Sequence, residues 1–310
     1  MKKTIFIAMA IVGAVLLLQS CEKVDGSADE IRFSAVLTKA QLVESISDLQ
    51  KDGFAVWCAY SRNGKFTDAE MLKSRTSVKY ETGAWRYDNP LNWEQVGAYK
   101  FNALRPSGYP YVTDGQNLVL IYNDTLPGCG TDLMLAYASR EMNGQESHGD
   151  VNLDFRHMLS AVRFIFNIDG LPQGYKFKIH DIKISDACIE GTLDYTDGKG
   201  KWNLKENPKD SIFYAVSEKS GDWHMVIPQE LAGEKATGTA VNFTLALGSD
   251  EIGWTEFVCA RSLARSVTDK WEAGKRYTYN ILFKTSDDIS VEVRCSNWDD
   301  INGETPEIIF

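Results

Sequence analysis

Cys21 is the residue best placed for covalent chemistry. It closes Leu18-Gln-Ser-Cys21, after a basic pair, Lys2 and Lys3, and an apolar run from Thr4 to Leu18. An ordinary export leader shares the basic start, the apolar middle and a small residue at the cut, but lacks a cysteine there. Leucine three residues before a cysteine, with small Ser20 directly before it, is the bacterial lipobox, whose thiol receives a diacylglycerol before cleavage. The apolar run falls short of the roughly 20 residues that span a bilayer. Residues 1–20 therefore read as a lipoprotein signal peptide rather than a transmembrane anchor.

Other reactive residue types are sparse. The four histidines are His148, His157, His180 and His224, and the densest metal-ligand cluster runs from His148 through Asp150 and Asp154 to His157. On a strand, alternate residues share a face, so Asp150 and Asp154 lie together and His157 lies opposite. A structural His157 with solvated acids fits that spacing better than a metal site. Asp299, Asp300, Asn302 and Glu307 form an incomplete calcium-loop pattern with a misplaced closing acid. There is no serine-hydrolase elbow, zinc-protease helix, P-loop or dinucleotide fingerprint. The expectation is a chain without catalysis, cofactor or metal.

Beyond Cys21 the cysteines are Cys58, Cys129, Cys188, Cys259 and Cys295. An odd, widely spaced set without a CxxC pair is a poor disulfide framework and a poor zinc site. Most are expected to be buried free thiols acting as small hydrophobes. Loss of Lys2 and Lys3 with the leader takes the formal charge from −10 to −12. No basic run offsets it, which argues against nucleic acid or anionic lipid as a partner. Membrane attachment then rests on acyl chains, each buried methylene contributing about 0.8 kcal/mol.

The elements that position these residues read as strands. After a polar tether, Ile31, Phe33, Ala35 and Leu37 alternate with polar neighbours, the period-2 signature of a half-buried strand. Residues 54–60 form an uncharged run that suits a strand covered on both faces. Further strands are expected at 76–80, 84–87, 98–104, 117–122, 133–138, 151–155, 161–168, 176–184 and 191–195. The series continues at 213–216, 223–227, 240–247, 255–260, 276–284 and 289–295. Only two short helices are expected, at 42–50 and 269–273. Short strands without a βαβ rhythm point to all-β sandwiches. The expected organisation is a signal peptide over 1–20, a tether and N-terminal strand over 21–40, and sandwiches over 41–149 and 150–310. Of eight tryptophans, Trp57, Trp254 and Trp298 are expected in the core. Trp85, Trp93 and Trp202 sit among polar residues and are candidates for an exposed sugar-stacking surface.

The order of landmarks along the chain resembles the fimbrillin-like family, lipoprotein subunits of type V pili in anaerobic Gram-negative bacteria. These are the lipobox, Thr38-Lys39-Ala40, the run from Gly53 to Tyr60, Trp85 and Trp93 with Tyr99 and Phe101, and Val151 to Phe164 with His157 and Ser160. Trp271 with Gly274, Tyr277 and Tyr279, then Ile289 to Val293 and Trp298, complete the series. The resemblance implies two tandem transthyretin-like Greek-key sandwiches and assembly by donor-strand exchange. It makes Ile31, Phe33, Ala35 and Leu37 a strand removed by proteolysis between Lys39 and Ala40, and Ile289, Val291 and Val293 a C-terminal donor. It further implies an outer-membrane, cell-surface lipoprotein of the fimbrium, lipidated at Cys21. Its partners would be other pilus subunits, the outer membrane through the lipid, and a host or glycan ligand if it acts as a tip. Stalk subunits of the family usually carry arginine before the cut, where this chain has Lys39. A monomeric glycan-binding lipoprotein of a polysaccharide-uptake system is the alternative.

Overall fold

The computed structural model describes residues 30–37, 46–113, 117–123, 131–144, 148–205, 212–213, 223–231, 238–264, 269–284, 289–297 and 307–309. Within them the chain is all-β apart from one short helix and a 3₁₀ turn. The first strands are β1 (Phe33–Leu37), β2 (Phe54–Ser61), β3 (Glu70–Glu81), β4 (Ala84–Tyr87) and β5 (Val96–Arg105), with helix α1 (Ile46–Asp52) between β1 and β2. Then come β6 (Tyr111–Thr113), β7 (Leu118–Asn123), β8 (Met134–Asn143), β9 (Val151–His157), β10 (Ser160–Asp169) and β11 (Lys176–Ser185). They are followed by β12 (Glu190–Thr196), β13 (Lys199–Leu204), β14 (Ile212–Phe213), β15 (His224–Val226), β16 (Gln229–Glu230) and β17 (Ala240–Ser249). The last are β18 (Gly253–Ser262), β19 (Lys270–Trp271), β20 (Lys275–Lys284), β21 (Ile289–Asn297) and β22 (Glu307–Ile309).

Sequence pattern explains most of these. The β2 run is buried at all but one position, as an uncharged strand covered on both faces must be. In β9 Val151, Leu153, Phe155 and His157 face inward while Asn152, Asp154 and Arg156 face outward. The Asp197-Gly198 turn joins β12 to β13 with φ of 50° and 77°, the left-handed pair that a tight hairpin requires. Helix α1 ends at Gly53, whose φ is +69° and whose N–H donates to Leu49 O at 2.8 Å. A Cβ at Gly53 would stand 2.3 Å from Val78 O, so only glycine lets β2 start there.

One local expectation fails. Residues 269–273 form no helix; Lys270 and Trp271 are strand β19, paired with β16. Trp271 is buried in the second sandwich and its indole N–H donates to the Tyr279 hydroxyl at 2.9 Å. Extended backbone is what lets that bulky ring reach the core. The short strands β6, β13, β16, β19 and β22 carry too few alternations to be read from sequence.

Seven strands form the first sheet in the order β1-β9-β8-β5-β2-β3-β4. One face buries Phe54, Phe101, Phe155 and Trp85; the other buries Trp57, Leu104 and Leu135 against the sheet β13-β12-β7-β6. The sheets β15-β10-β20-β21-β22 and β14-β11-β17-β18 enclose a second core around Phe164, Phe243, Tyr279 and Ile281. Pairing crosses the expected division at 149/150 in two places. β9 joins the first sheet, and β12 pairs with β7 from Glu190↔Asn123 to Tyr195↔Leu118.

Cys58, Cys188, Cys259 and Cys295 are free thiols, but only Cys58 is buried; the other three are half-buried. Burial pushes the Cys58 thiol up to about 12, with Lys73 opposing weakly. Since the thiolate is the nucleophile, Cys58 is expected to stay unmodified by Ellman's reagent at pH 8 until the protein unfolds. Peptide mapping that finds native Cys58 labelled as fast as Cys188 would contradict that burial. Cys129 and Trp298 lie outside the described residues.

Candidate functional site

The site begins with β1. Its five residues pair in parallel with β9, from Phe33↔Val151 to Leu37↔Phe155, and β1 is the outermost strand of its sheet. Ile31, Phe33 and Ala35 are buried and Leu37 packs half-buried on the same core. All four residues expected to form a removable strand thus point into one groove. Phe33 is the central plug: its ring centroid lies 6.3 Å from Phe54, 5.3 Å from Tyr87 and 5.8 Å from Phe101. Burying side chains of the size of Ile31 and Phe33 stabilises by about 1.5–3 kcal/mol each.

The outward face of β1 is lightly held. Ser34 donates to Asn152 Oδ1, Arg32 pairs with Asp150 at 3.4 Å in a largely exposed contact, and Val36 is exposed. Such surface pairs contribute little. The sheet curls until its two edges, β1 and β4, face each other without pairing. A cavity of about 390 Å³ remains between them, lined by Arg32, Ser34, Gln50, Gly83 and Arg86 among others.

A clasp closes the N-terminal end of the groove. Ile31 N–H donates to Leu91 O at 2.7 Å, and Glu30 bridges Asn92. The Tyr87 hydroxyl donates to Ile31 O at 2.9 Å and accepts from Leu91 N–H at 3.1 Å. Burial pushes this phenol up to about 12, so it remains the donor throughout the physiological range. No sequence pattern marks Tyr87, Leu91 and Asn92 as a unit; the fold alone brings them to Ile31.

At the opposite end lies a buried charged cluster. Met134 pairs with Arg105 on one side and His157 on the other, which aligns β5, β8 and β9 beside the last residue of β1. His157 Nδ1 lies 2.7 Å from Asp132 Oδ2, both side chains almost wholly buried. Arg105 is buried too and pairs with Asp52, the last residue of α1, at 3.0 Å. The cluster therefore ties the strand ends to the helix that follows β1.

The remaining sequence candidates disperse. Asp150 pairs with Arg32, Asp154 with Arg156 at 3.4 Å, and His148 lies against Trp93 with ring centroids 5.7 Å apart. Among the described residues no three histidine, cysteine or acidic side chains gather as a metal site. Trp85 and Trp93, candidates for an exposed surface, are buried in the first core. Their polar neighbours alternate to the other face and disguise them. Trp202 is half-buried and donates to Met158 O at 2.9 Å. Trp254, expected in the core, lies half-buried on an outer sheet face with Lys178 Nζ 3.8 Å above its ring. Ile289, Val291 and Val293 lie in β21, paired along its length with β20 and from Val293 to Cys295 with β22. Val293 is buried and Val291 packs on the second core. Cys21, Lys39 and Ala40 lie outside the described residues.

A family model described as fimbrillin-like matches residues 38–298, most of the chain and every strand from β2 to β21. The chain belongs to the fimbrillin-like family. The match begins at Thr38, directly after β1. A fimbrial protein from Bacteroides vulgatus ATCC 8482 is similar in fold, with a TM-score of 0.61 at 12% identity, over 87% of this chain and 99% of that one. A protein named for cell adhesion from Bacteroides uniformis ATCC 8492 is similar with a TM-score of 0.54 at 14% identity, over 88% and 99%. Comparison with curated proteins gives no match. As a fimbrillin-like protein this chain is of the pilus- or adhesion-type found at the cell surface. Among its described residues no helix is long and apolar enough to cross a membrane.

Proposed function

We propose that this fimbrillin-like chain is a structural or adhesive subunit of a cell-surface pilus, without catalytic activity. It is exported as an outer-membrane lipoprotein through Cys21 and assembled by donor-strand exchange. One observation supports this most: among the described residues β1 is a short edge strand, paired on one side only, whose apolar residues fill a groove in the first core. Such a strand leaves behind an unpaired sheet edge and a row of pockets, and an alternating strand from another subunit satisfies both. A cut between Lys39 and Ala40 falls two residues beyond β1 and would free the strand together with the lipid. The donor is the Ile289, Val291 and Val293 stretch. In the isolated subunit β21 is held in its own sheet, so donation requires its release from β20.

The test is limited digestion of the chain from Cys21 onward with a lysine-specific protease, followed by unheated denaturing gel electrophoresis. Loss of the segment ending at Lys39 should produce a ladder of stable oligomers. A chain trimmed at Lys39 that stays monomeric at high concentration would rule out assembly by exchange of this strand.

A further inference from the structure

Edge strands expose unpaired backbone groups, and proteins blunt them by keeping them short or placing lysine on them. Among the described residues nearly every edge here is blunted. β1, β4, β6, β14, β15 and β22 span five residues or fewer, and β13 carries Lys199 and Lys201. β18 is the longest of the edge strands. It runs ten residues, contains neither proline nor lysine, and keeps an unbroken register with β17 from Ala240↔Ser262 to Ser249↔Gly253. It ends the order β14-β11-β17-β18, and at its middle Val258 is 89% exposed. On the opposite face Phe257 and Cys259 line an apolar groove of about 370 Å³ with Leu245, Leu247, Ile168 and Phe283.

We propose that β18 is a docking edge for a second copy of this chain, pairing antiparallel with β18 of that copy about a twofold axis through Val258. Facing residues of an antiparallel pair point to the same side of the sheet. A twofold relation therefore matches even-numbered positions only with even, and odd only with odd, leaving few registers to compare. Centring on Val258 sets Val258 against its own copy, Phe257 against Cys259, Glu256 against Ala260 and Thr255 against Arg261. The most exposed apolar side chain meets its own copy, the apolar groove residues meet, and no like charges oppose. Centring on Phe257 instead sets Glu256 against Val258, and centring on Cys259 sets Arg261 against Phe257. Self-complementarity thus selects both the occupant and the register. The contact lies in the second sandwich and leaves β1 seated, so it stands or falls independently of strand exchange.

Sedimentation velocity at about 0.15 M salt, where surface repulsion is screened beyond about 8 Å, tests this on the chain from residue 22 onward, which retains every described residue. The expected result is a concentration-dependent dimer. Val258→Lys should raise its dissociation constant several-fold or more, because the apolar cross-strand pair is lost and two like charges then face each other. Its circular dichroism and melting should stay unchanged, since the side chain is exposed in the monomer. Val258→Cys treated with the thiol oxidant diamide should give a dimer linked through position 258. A wild-type chain that is monomeric at all concentrations overturns the proposal. So does a dimer indifferent to Val258→Lys, or a wild-type dimer cross-linked through Cys259.

Discussion

Phe33→Ala is expected to lower the stability of the intact chain by about 3–5 kcal/mol, the range for emptying a buried aromatic site. Phe33 is only 5% exposed and meets three other rings, so little can move to fill the space. Guanidinium unfolding followed by tryptophan fluorescence measures it, with an unchanged slope marking a true stability loss. Among the described residues β1 pairs on one side only, so its amides should also exchange faster than those of β5, as expected for a segment that opens before the domain unfolds. Tyr87→Phe should act in the same direction but more weakly, by about 1 kcal/mol, through loss of the clasp to Ile31. A Phe33→Ala chain within about 0.5 kcal/mol of wild type, the range of a surface change, would mean that the groove does not depend on its plug.

Asp132→Ala is expected to cost about 3–5 kcal/mol, because removing one carboxylate from a buried ionic cluster leaves Arg105 to the more exposed Asp52. Asp132 faces His157 at 2.7 Å. Burial pulls the Arg105 guanidinium below its ordinary value, and Asp132 opposes that pull. Adding Arg105→Met to Asp132→Ala should recover part of the loss, since an apolar replacement removes the stranded charge. A double-mutant cycle in denaturant gives the coupling directly. Additive single and double changes would show that Arg105 and Asp132 act separately. The cluster also holds the end of α1 through Asp52. Its loss should therefore increase cleavage in the segment between β1 and α1, read by timed digestion of the two variants.

Most of the fold was legible because strands declare themselves locally. The alternation of Ile31, Phe33, Ala35 and Leu37 is enough to define an inward face, and the fold packs that face on the first core. The expected strand at 84–87 coincides with β4, and 176–184 with nearly all of β11. Errors arose where burial depends on distant partners. Trp85 lies among polar residues in sequence, yet Phe54 and Tyr80 cover it. Trp254 has apolar neighbours, yet its strand lies at a sheet edge. His157 looked structural from the parity of β9, but nothing local to it pointed to Asp132, 25 residues earlier.

The sequence by itself determined an all-β chain, an alternating first strand and membership of the fimbrillin-like family. Each is carried by spacing along a few residues, which composition and period preserve. Only the tertiary structure decided that β1 pairs parallel to β9, that Tyr87 clasps Ile31, and that strands on either side of residue 150 share sheets. It also decided that β18 lies at the edge of its sheet, paired over its ten residues with β17 alone among the described residues. Strand order and edge position follow from which hydrogen-bonding partners the whole chain brings together, and no local period encodes that choice.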